Sequence, residues 1–428
     1  MSAPSSSSAS GDRGADHTDG PIAAALSPEP PVTVLITGAA GQLAYALAFL
    51  AAGGALFGPR RRVVLHLLDL PACAERLEAL AMELQDCAYP LLAGLLATTD
   101  YAPAFAGVDY ALLVGARPRA PGMERRDLLA ANAAIFRGQG EALDRYAKRT
   151  VRVLCVGNPA NTNALIAARA APGLPRAAFT ALTRLDHNRA TALLAQRLGA
   201  NPRDIHGVVI WGNHSATQYA DARFAVREGH PRAQDSSSVP AALGDGGAAW
   251  LQGDFVRAVQ QRGAEVMGKR QGSSAGSAAV AICDHVRDWA AGSRGHWVSM
   301  GVHMDGSAYG VAEGIYFSVP CIMCVRGGVW EWRAQEGPLC ALLRSCQCLA
   351  PYFPSRPTPP PSPPNPSAMR RAPTPLSRTS PLTTFPGPCS RPRRRSCWRS
   401  ASWPWRCQPR ARGAGGAPFA QKPPHYIM

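Results

Sequence analysis

No acidic residue follows Glu336 in this chain of 428 residues, although the chain as a whole carries a formal charge of +16 from 45 Lys+Arg against 29 Asp+Glu. From Glu331 onward there are 15 basic and 2 acidic residues, which leaves a net of only +3 for residues 1–330. The same segment holds 21 of the 39 prolines. A Pro/Arg-rich stretch so poor in aliphatics cannot offset its own ordering entropy, so the excess charge belongs to a tail. It does not mark the preceding domain as a polyanion binder. The first 31 residues lack the basic start and apolar run of a secretory signal. Asp12, Asp16, Asp19 and Glu29 against a single Arg argue against a transit peptide, so a flexible leader is expected. Pro30 to Pro59 contains no charged residue and is long enough on paper to cross a bilayer, but Thr37, Gly38, Gly41, Gln42, Gly53 and Gly54 interrupt it. No membrane span is expected there. The 12 cysteines lack the regular spacing of a disulfide framework, and Cys321-x-x-Cys324 has no second ligand pair. Reduced thiols and no metal follow.

The composition that remains is that of a globular α/β protein. Val32 to Ile36 is a short β-branched run ending in Thr37-Gly38-Ala39-Ala40-Gly41-Gln42-Leu43-Ala44, after which Leu43, Leu47 and Leu50 recur at helical spacing. Strand, glycine turn and helix start form the phosphate-binding unit of dinucleotide sites. Gly38 permits the tight turn, Gly41 lets backbone approach a pyrophosphate, and the small Ala44 lets helix and strand pack closely. Alone, the two glycines fit a plain strand–turn–helix as well. The second strand-like run, Val63 to Leu68, closes with Asp69, a carboxylate placed to accept both ribose hydroxyls and to repel a 2′-phosphate. NAD is therefore favoured over NADP. Arg60, Arg61 and Arg62 read as a solvated strand entrance.

Two more strand-like runs, Tyr110–Val114 and Val151–Val156, alternate with helical stretches. One helix carries Leu77, Leu80 and Leu84 on a single face, and a later one carries Leu128 and Ile135. This alternation predicts a Rossmann-type doubly wound parallel sheet, followed by an α+β substrate domain. The loops at the strands' C-terminal ends carry the chemistry. After Val114 comes an arginine-rich loop with Arg117, Arg119, Arg125 and Arg126, suited to bidentate capture of a carboxylate or, equally, to a solvated surface. After Val156 comes Gly157-Asn158-Pro159-Ala160-Asn161-Thr162-Asn163. Further on, Asp186-His187-Asn188-Arg189 opens an Ala/Leu-rich helix ending at Leu198, and His214 follows the strand-like run from Val208. A lone histidine is usually structural. A carboxylate that holds an imidazole makes a general base, and an arginine one turn away can clamp a substrate acid.

Nine ordered motifs, GAAGQLAYAL, LLDL, AMELQDCAYPLL, PGMERRDLLAAN, VGNPANTN, TRLDHNRA, WGNHSATQY, SSAGSAAVAICDHVRDW and VSMGVHMDGSAYGV, together resemble the cytosolic-type, NAD-dependent branch of the malate dehydrogenase family from about Val32 to Trp330. The resemblance implies that His214 accepts the substrate proton and Asp186 orients it. It implies that Arg119, Arg125 and Arg189 hold the two substrate carboxylates, with Ser274 nearby. Asn158 would bridge substrate and cofactor. Gly38, Gly41, Gln42, Ala44, Asp69, Asn132, Gln139 and Val156 would line the NAD site. Malate and oxaloacetate would be the substrates, the chain a homodimer, and the compartment cytoplasmic, with the Ser/Ala-rich leader keeping a plastid in view. Two departures, Ala220 in place of the usual Pro and Gly276 in place of a common Met, remove no reactive group.

The expected organisation is a leader at 1–31, an NAD-binding domain at 32–183, a catalytic domain at 184–330 and a tail at 331–428. Beyond Glu331 the family would continue into an amphipathic helix. This sequence turns instead to Pro359-Pro-Pro-Ser-Pro-Pro364 and Arg393-Arg-Arg-Ser-Cys-Trp398, as read-through of a non-coding or frame-shifted stretch would. The alternatives are an impaired or unstable enzyme, and a tail that binds single-stranded RNA through seven arginines and three tryptophans between Arg391 and Arg410. Codon composition accounts for that tail without nucleic-acid binding, which is not expected.

Overall fold

The computed structural model describes residues 26–117, 124–228, 237–272, 274–306, 308–326 and 329–334. Arg119, the leader to residue 25 and the tail from residue 335 lie outside the described residues, as do the side chains of Arg125, Cys324 and residues 329–334. In chain order the elements are β1 (Val32–Thr37), α1 (Gln42–Ala52), β2 (Val63–Leu68), α2 (Ala74–Asp86), β3 (Leu92–Thr98), α3 (Tyr101–Phe105), β4 (Tyr110–Leu113), α4 (Arg125–Tyr146), β5 (Arg152–Cys155), α5 (Ala160–Ala170), β6 (Phe179–Ala181) and α6 (Arg184–Leu198). Then follow β7 (Ile205–His206), β8 (Val209–Trp211), β9 (Tyr219–Asp221), β10 (Val226–Arg227), β11 (Ser237–Ser238), α7 (Val239–Ala242), α8 (Gly247–Gln252), α9 (Asp254–Arg270), α10 (Gly276–Ala291), β12 (Val298–His303), β13 (Tyr316–Arg326) and β14 (Val329–Ala334).

The first six strands form a parallel sheet in the order β3-β2-β1-β4-β5-β6. This is the doubly wound arrangement, in which the strand order reverses beside β1 and opens a crevice at the carboxyl ends of β1 and β4. Near-continuous apolar runs make β1, β4 and β5 central, because a parallel strand covered by helices on both faces has no polar side. Val34, Leu35 and Ile36 of β1 and Ala111, Leu112 and Leu113 of β4 are accordingly buried. On α2 the expected face of Leu77, Leu80 and Leu84 is the buried one. On α4 the sequence points to Leu128 and Ile135, but both are half-buried. The inward line is Asn132, Phe136, Gln139, Gly140 and Leu143, one helical stripe that mixes core and polar residues. The sequence reading missed β3: its Leu92-Ala-Gly-Leu-Leu-Ala-Thr98 mixes Gly and Ala with leucines, a pattern with neither clear alternation nor β-branching.

The sheet does not end with the parallel strands. Antiparallel β12 joins β6 at Gly301↔Ala181, and β13 and β14 extend the same sheet. A Cβ on Gly301 would come within 2.8 Å of the Ala181 Cβ, so the junction needs glycine. Helix α10 comes from the second half of the sequence, yet Ala279, Ile282, Cys283 and Val286 join the core of α1 and β1. Arg287 on that helix donates to the Ala55 carbonyl at 2.9 Å. Cys321 on β13 is buried, and the side chain of Cys324, three residues on, lies outside the described residues. Among the described residues, no helix is long and apolar enough to cross a membrane.

Candidate active site

The glycine turn after β1 is forced by contact. Gly38 has φ +68°, and a Cβ there would lie 2.5 Å from the Gly115 Cα in the loop after β4. The two loops that border the crevice therefore touch backbone to backbone. Gly41 caps α1 without a side-chain hydrogen bond, Gln42 beside it is exposed, and the first turn of the helix carries no acidic residue. Ala44 is fully buried, as close helix–strand packing requires. Asp69 stands half-buried at the end of β2, where Oδ2 accepts the Ala40 N–H at 2.8 Å and Oδ1 the Leu70 N–H at 2.7 Å. Each carboxylate oxygen keeps acceptor capacity for a hydroxyl. A turn that admits no side chain, an uncapped helix end and a fixed carboxylate suit the pyrophosphate and ribose of NAD.

Asn132 is fully buried on α4 and links the loops after β4 and β5. Its Oδ1 accepts the Arg117 N–H at 2.8 Å, and its Nδ2 donates to the Asn158 carbonyl at 3.1 Å. Gln139, two turns further along the same stripe, is buried, and its Oε1 has no partner among the described residues. The Asn158 side chain is exposed at the head of its loop, and Val156 is buried beneath it. Gly157 fits there because a Cβ would lie 2.7 Å from the Ala116 Cβ and 2.9 Å from the Phe136 ring.

The pair expected to move the proton, Asp186 and His214, is assembled from two distant segments. Asp186 sits in the first turn of α6, where the exposed amide dipoles favour a carboxylate, and it is completely buried. His214 lies three residues beyond β8. Gly212 (φ +96°) makes the bend and is stitched to β13 by a paired Gly212–Ser318 backbone bridge at 2.8 and 3.2 Å. Asn161 on α5 fixes the loop from the other side. Its Oδ1 accepts the His214 N–H at 2.9 Å while its Nδ2 donates to the Tyr316 carbonyl at 3.1 Å. The sequence motif contained Asn161 but gave it no role, because the partner lies 53 residues away.

The result is a contact of 2.5 Å between His214 Nδ1 and Asp186 Oδ2. The other Asp186 oxygen, Oδ1, accepts from Arg189 at 3.2 Å, one turn along the same helix. Burial lowers the pKa of His214, but the charge and hydrogen bond of Asp186 outweigh that loss and the opposing charge of Arg189, so the net shift is upward. With Nδ1 committed to Asp186, Nε2 is the nitrogen left for substrate. The neighbouring His187 is not a competitor: it is bonded to Ser299 Oγ at 3.0 Å, and burial, with Arg184 and His206, pushes its pKa down to about 3. It stays neutral. The Arg189 guanidinium lies over Gly263 of α9, with NH1 3.5 Å from where a Cβ would stand.

The other expected residues divide. Ser274 is half-buried and bonds Ser277 at 2.7 Å at the start of α10. Gly276 faces open space, so the missing Met leaves no clash behind. Ala220 on β9 is buried in a core it shares with Ala190 and Leu194 of α6 and Phe255 and Val259 of α9.

Two sequence profiles match the chain in succession: the lactate/malate dehydrogenase NAD binding domain over residues 32–180 and the lactate/malate dehydrogenase alpha/beta C-terminal domain over residues 183–341. "Probable malate dehydrogenase 3" of Dictyostelium discoideum is 52% identical over 297 residues, covering 69% of this chain and 87% of that protein. Cytoplasmic malate dehydrogenase of Gallus gallus is 50% identical over 303 residues, 71% of this chain and 89% of its own length. Among solved structures, malate dehydrogenase from Naegleria fowleri aligns with a TM-score of 0.66 at 42% identity over 74% of this chain and 94% of that one. Two successive profile matches, relatives at half identity and the common fold lead to one conclusion: the chain belongs to the lactate/malate dehydrogenase family.

Proposed function

We propose that this chain interconverts (S)-malate and oxaloacetate with NAD, using His214 as the proton acceptor and Asp186 as its orienting partner. The observation that carries the proposal is a single buried carboxylate whose two oxygens hold His214 at 2.5 Å and Arg189 at 3.2 Å. One anion thereby sets both the base and a cation for the substrate acid. Bound NAD supplies the hydride acceptor. His214 Nε2 takes the proton of the C2 hydroxyl as the carbonyl forms, and Asp186 stabilises the imidazolium. In the reverse direction protonated His214 donates to the oxaloacetate carbonyl oxygen.

Arg189 binds the carboxylate next to the reacting carbon with the guanidinium edges that Asp186 leaves free. Arg119 and Arg125 pair with the second carboxylate, which lactate lacks. Truncating one member of a desolvated charge pair costs on the order of 2–5 kcal/mol, so the loop arginines select a dicarboxylate. Gly38, Gly41, Gln42 and Ala44 supply the phosphate turn and Asp69 the ribose acceptor. Asn132, Gln139 and Val156 support the nicotinamide end beside Asn158, and Ser274 lies at the substrate's rim. The domain limits proposed are 32–183 for NAD binding and 184–330 for catalysis, between the leader and the tail, with β14 carrying the sheet past the second limit to Ala334. A homodimer in the cytoplasm completes the proposal, on the family resemblance and on relatives named as cytoplasmic.

The test is NADH oxidation by the full chain with oxaloacetate, with sedimentation for the dimer. Turnover that needs oxaloacetate and is lost in His214→Asn supports the proposal. An inert but folded chain that binds NADH refutes it.

A further inference from the structure

A second cluster of ligating side chains lies away from the catalytic pair and shares no residue with it. His206 on β7, Glu228 just after β10 and His296 in the turn before β12 bring one donor atom each to within 4.8 Å of one another. His206 Nε2 lies 3.4 Å from Glu228 Oε2, and the two imidazole rings stack with centroids 4.1 Å apart at 18°. The backbone around all three is pinned. β7 and β10 pair through Val226↔His206, and the Glu228 N–H reaches the Asp204 carbonyl at 2.8 Å. Ser293, itself buried, holds the His296 turn by donating to the His296 carbonyl at 2.7 Å and accepting the Met323 N–H at 3.0 Å.

Nothing in the proton-transfer chemistry uses these residues. An ion pair would need one histidine beside Glu228, whereas here a second imidazole is stacked on the first. A neutral imidazole offers a lone pair to a metal, and the Glu228 carboxylate beside His206 favours a cation. Zinc–nitrogen and zinc–oxygen bonds of about 2.0–2.2 Å put tetrahedral donors roughly 3.3–3.6 Å apart. The His206–Glu228 edge already has that length. The remaining edges need contraction of no more than about 1.5 Å, and because an imidazole lone pair lies in its ring plane, the half-buried His296 ring must turn out of its stack on His206 as the exposed Glu228 side chain swings in.

We propose that His206, Glu228 and His296 bind one divalent cation of borderline softness, Zn2+ above all, and that the ion clips β7 and β10 to the turn entering β12. Two imidazoles and a carboxylate select such a cation over Ca2+ or Mg2+, which require mostly oxygen ligands. Solvent beside the exposed Glu228 supplies the fourth ligand. Because β7, which carries His206, packs on α6, the helix that opens with Asp186, the ion would brace the scaffold behind the proton-transfer pair rather than take part in the reaction.

Full-length protein freed of metal by a chelator is titrated with Zn2+ in a calorimeter, beside Glu228→Gln and the double variant His206→Ala/His296→Ala. The expected result is one more Zn2+ bound by the wild type than by the double variant, and at least roughly tenfold weaker binding at this site in Glu228→Gln, with NADH oxidation retained. Thiols elsewhere in the chain also bind zinc, so Co2+ is titrated in parallel. The Co2+ bound by the wild type beyond that in the double variant should give visible d–d absorption without added thiolate charge-transfer bands. Equal zinc stoichiometry and affinity in wild type and double variant overturns the proposal, as does a Co2+ difference carried by thiolate bands. Should the double variant not fold, Glu228→Gln alone decides: affinity equal to wild type overturns the site.

Discussion

Asp186→Asn is the most informative single perturbation, because it removes a charge while keeping the shape. The asparagine oxygen can still accept from Arg189, and its amide then faces His214 Nδ1, where Oδ2 now stands 2.5 Å away. An amide donor at that position holds the imidazole with its proton on Nε2, the tautomer unable to accept from a hydroxyl. In the Ser-His-Asp hydrolases the equivalent exchange lowers kcat by about 10⁴-fold, or about 5.4 kcal/mol. A loss of this order is expected for malate oxidation here. The pH profile should move as well. In the wild type Asp186 raises the His214 pKa above its ordinary value, so malate oxidation, which needs neutral His214, weakens as pH falls through that raised pKa. Oxaloacetate reduction needs the protonated ring and weakens as pH rises through it. Without the charge only burial and Arg189 remain, and both lower the pKa. Both limbs should therefore shift to lower pH in the variant. The stability linkage has the same sign: the Asp186–His214 contribution is full below the unfolded pKa of about 6.5 and is lost as pH rises through the higher folded value. Steady-state rates in both directions between pH 5 and 9 provide the assay. An Asp186→Asn enzyme within tenfold of wild type, or one with unmoved pH limbs, would refute the reasoning.

Further expectations concern cofactor, substrate and packing. Gly38→Ala puts a Cβ 2.5 Å from the Gly115 Cα at a left-handed φ, so thermal unfolding should show a loss on the order of 2–4 kcal/mol together with a raised KM for NAD. Asp69→Ser removes the proposed ribose acceptor and the repulsion of a 2′-phosphate, and the NAD-over-NADP ratio of kcat/KM should fall at least about tenfold; an unchanged ratio assigns Asp69 to the turn alone. Arg119→Gln should weaken malate turnover much more than lactate turnover, and equal effects would remove Arg119 from substrate choice. Gly263→Val crowds the Arg189 guanidinium, which already lies 3.5 Å from a modest Cβ, and should raise the KM for malate more than the KM for NAD.

How far the sequence carries depends on how local each feature is. The glycine turn, the strand ending in Asp69 and the Asp186 helix are readable because backbone need and residue type coincide within a few positions. The helix ends as its composition suggests, with Gly199 in the left-handed conformation. Residue chemistry offered Asp186 and His214 as partners, but their assignment as a pair rested on motif resemblance, since 28 residues separate them and no periodicity joins them. The roles of Asn132 and Asn161 as braces between loops were hidden for the same reason: each contacts backbone from other elements. Strand β3 failed on composition, and the polar stripe of α4 was obscured because Asn132 and Gln139 are buried where a hydrophobic pattern would call for leucines.

The most direct test of the central claim follows the hydride. Full-length protein is incubated with oxaloacetate and NADH carrying deuterium at both C4 positions, and the product is analysed by mass spectrometry. The mechanism predicts malate with one deuterium on C2, formed one-for-one with NAD. Oxaloacetate that stays unreduced, or is consumed without deuterium at C2, would contradict it.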